Sequence, residues 1–237
     1  MYRQVQHWME ILGTGADIVL LLRILLLRLH RTYILITLAC ALTVFFDGVM
    51  LWLGVETEEF ARVFIYSRFL YAFVFPAATY DVWEEVKALV ARVRRMAILR
   101  LVSSLVLAAI FGLLIASFSG EQDSGNQAVL NTFAIILWAA SSTASLAFLW
   151  SMHRVARSQG IALPNNTGVW LLFYELSLAG EVVACFLIII GPQLKGFAIN
   201  AIDISLGLFG ILIVLWCTWK LQGLRSDVPS APEQASS

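Results

Sequence analysis

Residues 33–54 read YILITLACALTVFFDGVMLWLG, and Asp47 is the only charged side chain among them. A helix rises about 1.5 Å per residue, so this stretch is long enough to cross the hydrocarbon core of a bilayer, which is about 30 Å thick. The whole chain has the same character, because 60% of its 237 residues are hydrophobic and 14% are charged. Soluble domains contain about 45–50% apolar and about 25% charged residues. This composition excludes a water-soluble globule.

Six further stretches are apolar over a similar length, and each is long enough to cross a membrane as a helix. The seven predicted spans are residues 8–28, 33–54, 61–81, 98–118, 129–150, 169–191 and 197–219. We therefore predict an all-α fold, in which residues 1–222 form one seven-helix transmembrane domain. Residues 223–237 are polar and rich in Pro and Ser, which predicts a disordered cytoplasmic tail.

The basic residues predict the orientation, because cytoplasmic loops carry an excess of Lys and Arg. With the amino terminus outside, the outer segments contain only Arg3, Arg62 and Lys195. The inner loops and tail then contain most of the basic residues, namely Arg28, Arg31, Lys87, Arg92, Arg94, Arg95, Arg154, Arg157, Lys220 and Arg225. We predict an outer amino terminus, a cytoplasmic carboxyl terminus and a location in the cell membrane, either a plasma membrane or a bacterial inner membrane.

The motifs exclude several kinds of membrane enzyme and cofactor protein. The histidines His7, His30 and His153 all lie near the ends of spans, whereas a haem needs axial ligands inside the bundle. The chain contains no HExxH or GxSxG motif for zinc or serine chemistry. A retinal Schiff base would need a lysine within the last span, but Lys220 lies at its inner end. We expect no enzymatic activity, no cofactor and no bound metal.

Charged side chains inside the predicted spans are the most informative feature, because such groups are costly in a bilayer and mark functional sites. At about 1.5 Å per residue, five of them fall at a similar depth in the outer half. Tyr71 and Asn200 lie one helical turn from two of these charges and add a hydroxyl and an amide. The candidate ligand- or ion-binding residues are Asp17, Asp47, Arg68, Tyr71, Glu181, Asn200 and Asp203.

The charges in this outer layer do not balance, because four acids accompany the single base Arg68. We expect Arg68 to pair with Asp47, its neighbour across the second hairpin. The remaining acids must then be protonated near neutral pH, solvated by a water-filled cavity or neutralised by a bound cation. This predicts an outward-facing polar pocket that responds to pH or to cations. Nearer the inner side, Arg23 and Glu175 share a depth and are predicted to form an ion pair.

Two further segments have helical patterns with structural or functional interpretations. Residues 81–95, DVWEEVKALVARVRR, place apolar side chains at helical spacing with acids early and bases late. This pattern favours a helix lying at the lipid headgroups, and the alternative is a docking face for a cytoplasmic or membrane protein partner. Residues 139–145 are small, which is typical of a close-packing helix face.

These features favour a membrane receptor or sensor that binds a small polar or cationic ligand in the outward-facing pocket. One alternative is a proton- or cation-coupled transporter of small molecules that uses the same acids. Another is a non-catalytic subunit of a membrane complex, in which the charges would serve assembly. The expected partners are the lipid bilayer and a small molecule or cation, and no nucleic acid.

Overall fold

The computed structural model describes residues 2–53, 57–89, 102, 106, 110, 126–190 and 196–223. Within these residues the protein is all-α and contains no β-strand. The six helices of the described part are α1 (Tyr2–Leu26), α2 (Ile34–Leu53), α3 (Glu58–Leu89), α4 (Asn126–Ser158), α5 (Asn165–Ile190) and α6 (Gly196–Lys220). A short 3-10 turn, Leu29–Arg31, joins α1 to α2.

Five of the six described helices, α2 to α6, are long and apolar enough to cross a membrane. Their outward faces carry large apolar side chains, such as Trp52, which is 85% exposed. Such a surface is expected where the helices meet lipid. The remaining helix, α1, is not among the five and carries Glu10, Asp17 and Arg23. The protein is therefore a helical membrane protein by the length and composition of these helices.

Most of the fourth predicted span, residues 98–118, lies outside the described residues. The exceptions are Val102, Val106 and Ile110, which are helical and exposed. The predicted tail also lies outside them, apart from Gly223. The described helices overlap six of the seven predicted spans in sequence, and five of them, without α1, are long and apolar enough to cross a membrane.

The six described helices form a closed ring in which each packs on its neighbours in chain order and α6 packs back on α1. Most neighbouring helices are antiparallel, as short connections require. The α1–α6 pair is parallel. Gly13 faces Ile211, and further toward the ends of both helices Arg23 donates a hydrogen bond to the carbonyl of Leu221, which follows α6. The ring encloses a space whose two ends are filled differently.

The α3–α4 pair is also parallel. The Phe69 and Phe133 rings lie 5.5 Å apart. Later in both helices, Ser141 Oγ donates a 2.5 Å hydrogen bond to the carbonyl of Ala72. Ser141 belongs to the small-residue stretch of α4 and is fully buried. Small side chains on this face let the two backbones approach closely.

One half of the bundle, here called the packed half, is filled by the main apolar core. It lies where α1, α3, α4 and α6 end and where α2 and α5 begin. Trp170 is fully buried there and contacts Tyr33, with ring centroids 6.0 Å apart. Side chains from all six helices contribute to this core, among them Leu20, Ile24, Ile36, Val82, Leu149, Leu171, Cys217 and Leu221. The opposite half, here called the cavity half, contains the candidate site.

The first part of the segment 81–95 belongs to the packed half. Val82 and Val86, which were predicted to lie on the apolar face of an interfacial helix, are buried in the main core with Trp83. This part of the segment therefore packs against the bundle and does not present its apolar face to lipid or to a partner. Residues 90–95 lie outside the described residues.

Candidate ligand-binding site

A cavity of about 530 Å³ lies inside the ring of described helices. On α1 its walls extend from Gln6 to Leu20, which is about 20 Å at the rise of a helix. Ligand sites for small molecules typically have volumes of about 300–1,000 Å³. Five of the seven predicted site residues line this cavity, namely Asp17, Asp47, Arg68, Tyr71 and Glu181.

Four acids line the cavity: Glu10, which has an interaction of its own, and three acids on three different helices. Asp17 is on α1, Asp47 on α2 and Glu181 on α5, and all three are half-buried. None of them forms a hydrogen bond or a salt bridge with another described residue. Buried carboxylates are normally paired, so these three acids need a proton, water or a bound cation inside the bundle. Such a cluster attracts cations.

Arg68 is the basic side chain among the described residues that line the cavity. Its guanidinium lies over two aromatic rings, with Cζ 4.1 Å from the centroid of Trp138 and 4.4 Å from that of Phe64. The Tyr71 ring is 5.7 Å away. A planar, weakly hydrated guanidinium stacks well on aromatic faces. The rings therefore hold Arg68 at the cavity wall without a carboxylate partner.

The predicted Arg68–Asp47 ion pair is not formed in the structure. The positive charge of Arg68 acts on both Asp47 and Glu181, yet Arg68 makes no salt bridge with either acid. Stacking between Phe64 and Trp138 takes the place of the predicted pair. The prediction considered charges and depth, and it left out the aromatic side chains beside Arg68.

Three buried polar atoms at this wall have no hydrogen-bond partner among the described residues. They are Arg68 Nε, Tyr71 Oη and Trp138 Nε1. The Tyr71 hydroxyl lies near Thr43, but the two make no hydrogen bond of normal geometry. Tyr71 is 4% exposed and Trp138 2% exposed, and the two residues pack together with Cys185. Other buried atoms in the described part of the chain also lack a partner, among them Trp170 Nε1 in the packed half, but these three belong to residues that line the cavity. A molecule in the cavity could supply the partner that buried polar groups usually have.

Of the last two predicted site residues, only Asn200 has a described side chain. Asn200 is half-buried on α6 and is not part of the described lining. The side chain of Asp203 lies outside the described residues, although its backbone belongs to α6. The α6 wall of the cavity is instead formed by small and apolar residues, including Gly207 and Gly210.

The predicted Arg23–Glu175 ion pair is also absent. Arg23 Nη2 donates a 3.1 Å hydrogen bond to the carbonyl of Leu221, just beyond the end of α6. Glu175 pairs with His153 on α4, whose Nδ1 lies 2.9 Å from Oε2 and 3.1 Å from Oε1. The two residues share a depth, but each faces a different neighbour. The prediction was wrong because depth does not determine which helices are adjacent.

The acids of the packed half are hydrogen-bonded. Asp81 Oδ2 accepts hydrogen bonds from the backbone N–H groups of Leu35 (2.7 Å) and Ile36 (2.9 Å), at the start of α2. Glu85 Oε2 accepts a 2.8 Å hydrogen bond from the Tyr33 hydroxyl and another from Thr167. These hydrogen bonds connect the last turns of α3 to the starts of α2 and α5.

Sequence reasoning missed two residues that the structure places in important positions. Trp138 forms part of the cavity wall, and His153 is the partner of Glu175. A signal for Trp138 was present, because a tryptophan deep in a span is away from the interface where its N–H is usually satisfied. His153 carried no comparable signal, since it lies near a helix end and its partner is 22 positions away.

The described residues contain no group of three or more His, Cys, Asp or Glu side chains that could hold a metal ion. Comparisons of the chain with protein-family models, with curated proteins and with solved structures give no match. The chemistry of the cavity is therefore the basis for assigning a function. It combines acids without a bonded partner, a stacked arginine and unpaired donors within one cavity.

Proposed function

We propose that this protein is a non-enzymatic membrane receptor that binds a small cationic ligand in the cavity. The observation that carries the proposal is the convergence of Asp17, Asp47 and Glu181, from three helices, on one cavity with no bonded partner among the described residues. A ligand cation would supply the missing positive charge. Aromatic rings in the lining, including Phe173 and Tyr174, would add cation–π attraction.

The packed half favours a receptor over a carrier. A carrier must give its ligand a path to the other side of the membrane, and the cavity lining ends near Leu20 and Ile213. Beyond this level the core is densely filled around Trp170. Helix ends there are also tied together, for example by the 2.8 Å hydrogen bond from Asn166 to the carbonyl of Gln222. A receptor needs no opening at this end, whereas a carrier would need a second state in which the packed half opens.

The proposed topology has seven spans, with the amino terminus outside. Because α3 and α4 are parallel neighbours, Leu89 at the end of α3 and Asn126 at the start of α4 lie at opposite ends of the bundle. The chain between them must connect these two ends, and it contains the apolar stretch 98–118. With the basic residues on the cytoplasmic side, the cavity half faces outward.

Binding of an alkylammonium ion tests the receptor proposal. We expect purified protein in detergent to bind n-hexylammonium, and Asp47→Asn or Glu181→Gln to weaken binding about tenfold, because each removes a charge facing the ligand. Glu59→Gln is the matched control, since Glu59 is an exposed acid on α3 away from the cavity. Absence of binding to the unaltered protein would contradict the proposal.

Flux measurements separate the receptor from the coupled transporter. Protein reconstituted into liposomes should bind n-hexylammonium without accelerating its entry, with or without a proton gradient. A protein-dependent flux that Asp47→Asn abolishes would instead establish a carrier.

Reporter fusions test the topology. A reporter that is active only on the cytoplasmic side should be active after Arg225, and one fused within residues 119–125 should be inactive. Activity of both fusions would contradict the seventh span.

A further inference from the structure

We propose that the cavity contains a second subsite, built by Arg68, Tyr71 and Trp138, that binds a neutral oxygen acceptor on the ligand. The ligand would then be an amine cation that also carries a carbonyl, ether or hydroxyl oxygen. This inference rests on the proposed receptor function, because it assigns the other end of the same ligand.

Each of the three side chains has a hydrogen to donate at its unpaired atom. The indole Nε1 of Trp138 and the Nε of Arg68 can only donate, and the Tyr71 hydroxyl can donate or accept. All three atoms are buried and lack a partner among the described residues. An unmade hydrogen bond at a buried donor is costly, so the site gains most from a molecule that supplies an acceptor.

The three donors belong to one wall of the cavity. The guanidinium of Arg68 stacks on Trp138 at 4.1 Å and lies 5.7 Å from the Tyr71 ring. Tyr71 is held by stacking on Phe75, with ring centroids 5.3 Å apart, and by an edge contact with Phe46 at 6.0 Å. These ring contacts fix the positions of the donors before a ligand arrives, which lowers the entropic cost of binding.

The charge around this wall favours a neutral acceptor over a carboxylate. Asp47 and Glu181 both lie within the electrostatic range of Arg68. A ligand carboxylate at the donors would therefore meet two acids as well as one base. A carbonyl or ether oxygen accepts the same hydrogen bonds without this repulsion. Because the acids adjoin the donors, a short ligand can reach both subsites.

A matched set of small probes tests the subsite. The methyl ester of β-alanine carries both a cation and an ester oxygen, n-hexylammonium carries only the cation, and methyl butanoate carries only the ester. The three probes have the same number of non-hydrogen atoms. Affinities are measured by ligand-observed NMR on the full-length protein in detergent, with β-alanine itself as the carboxylate probe.

We expect the β-alanine ester to bind about fivefold more tightly than n-hexylammonium, as one or two added hydrogen bonds predict. Tyr71→Phe should bring this affinity ratio close to one. Tyr66→Phe is the matched control, because Tyr66 is an exposed tyrosine on the same helix and does not line the cavity. The control should retain the fivefold ratio.

The possible results distinguish the two proposals. Equal binding of the ester and n-hexylammonium, or a ratio that Tyr71→Phe leaves unchanged, would overturn the donor subsite and leave the receptor function standing. Tighter binding of β-alanine than of its ester would overturn the preference for a neutral oxygen. Binding of methyl butanoate without binding of n-hexylammonium would overturn the cationic receptor instead. No binding of any probe would overturn both.

Discussion

Asp81 in the packed half and Asp47 in the cavity half are acids at opposite ends of the same helix pair, α2 and α3. The carboxylate of Asp81 accepts two backbone N–H groups at the start of α2. Asp47 faces a cavity and bonds to no described residue, although Arg68 lies close by. Asp81 stabilises the fold through these hydrogen bonds, whereas Asp47 lies in the cavity wall without a bonded partner among the described residues. This difference separates the end of the bundle whose acids are hydrogen-bonded from the end to which we assign ligand binding.

The same contrast holds for the aromatic side chains. In the packed half, Trp170 is enclosed by core residues and its ring contacts the ring of Tyr33. In the cavity half, Trp138 packs on Tyr71 and supports Arg68 from one side, with the cavity on the other. Rings fill space in one half and shape a pocket in the other. The predictions below test whether the two halves have separate roles.

The largest expected effect is that of Trp170→Ala. Removing this fully buried side chain leaves a void in the main core, which should lower the free energy of unfolding by about 3–5 kcal/mol. Thermal unfolding in detergent measures the loss. Trp219→Ala is the control, because Trp219 is 76% exposed and should change stability little. Similar losses for both variants would contradict a structural role confined to the packed half.

The next prediction compares the free energy of unfolding of the Asp81→Ala and Asp47→Ala variants. Asp81→Ala leaves two N–H groups at the start of α2 without their acceptor and should cost about 2 kcal/mol. Asp47→Ala removes an unpaired charge and should leave stability equal or higher. Chemical denaturation of both variants gives the two values. A larger loss of stability for Asp47→Ala than for Asp81→Ala would contradict the contrast between the two acids.

A pH series tests the charge of the cavity. Protons compete with a ligand cation for the carboxylates, so affinity for n-hexylammonium should rise between pH 5 and pH 8 by as much as about tenfold. The acids that line the cavity are Glu10, Asp17, Asp47 and Glu181, beside the fixed charge of Arg68. Glu181→Gln should flatten the profile. A flat profile for the unaltered protein would show that the acids do not take part in binding.

A double-mutant cycle tests the His153–Glu175 pair, which the structure contains in place of the predicted Arg23–Glu175 pair. Substituting His153 and Glu175 by Ala, singly and together, should reveal a coupling of about 1 kcal/mol, because the two side chains are in direct contact. The same cycle for Arg23 and Glu175 should give a coupling near zero. A larger coupling for Arg23 and Glu175 would restore the ion pair expected from depth alone.

The smallest effect concerns two glycines in the cavity wall of α6. A methyl group at Gly207 would meet the tip of the Met9 side chain, whereas one at Gly210 would meet open space. Because the methionine tip can move, Gly207→Ala should cost only about 0.5 kcal/mol more than Gly210→Ala, which gains helix propensity. Thermal unfolding of both variants measures the difference, and a loss confined to Gly210→Ala would contradict the α1–α6 contact.

Much of the architecture follows from local properties of the chain. The apolar stretch 33–54 and its counterparts give helices, because a backbone in lipid must satisfy its hydrogen bonds within each segment. The position of a residue along its helix also gives its depth, since the rise per residue is constant. Depth alone grouped Asp17, Asp47, Arg68, Glu181 and Asp203 as one layer, and the structure places the first four around one cavity.

Tertiary structure decided which groups face each other. Arg23 and Glu175 lie at the same depth, but they are on helices that are not neighbours in the ring. Arg23 therefore contacts Leu221, and Glu175 contacts His153. The tertiary structure also placed the rings of Phe64 and Trp138 around Arg68, which therefore stacks and does not pair with Asp47. Depth is a local property of one helix, whereas facing direction and neighbour order depend on the packing of every helix at once. The sequence by itself therefore determined the helices and the level of each charge, and the packing of the ring determined the partner of each charge.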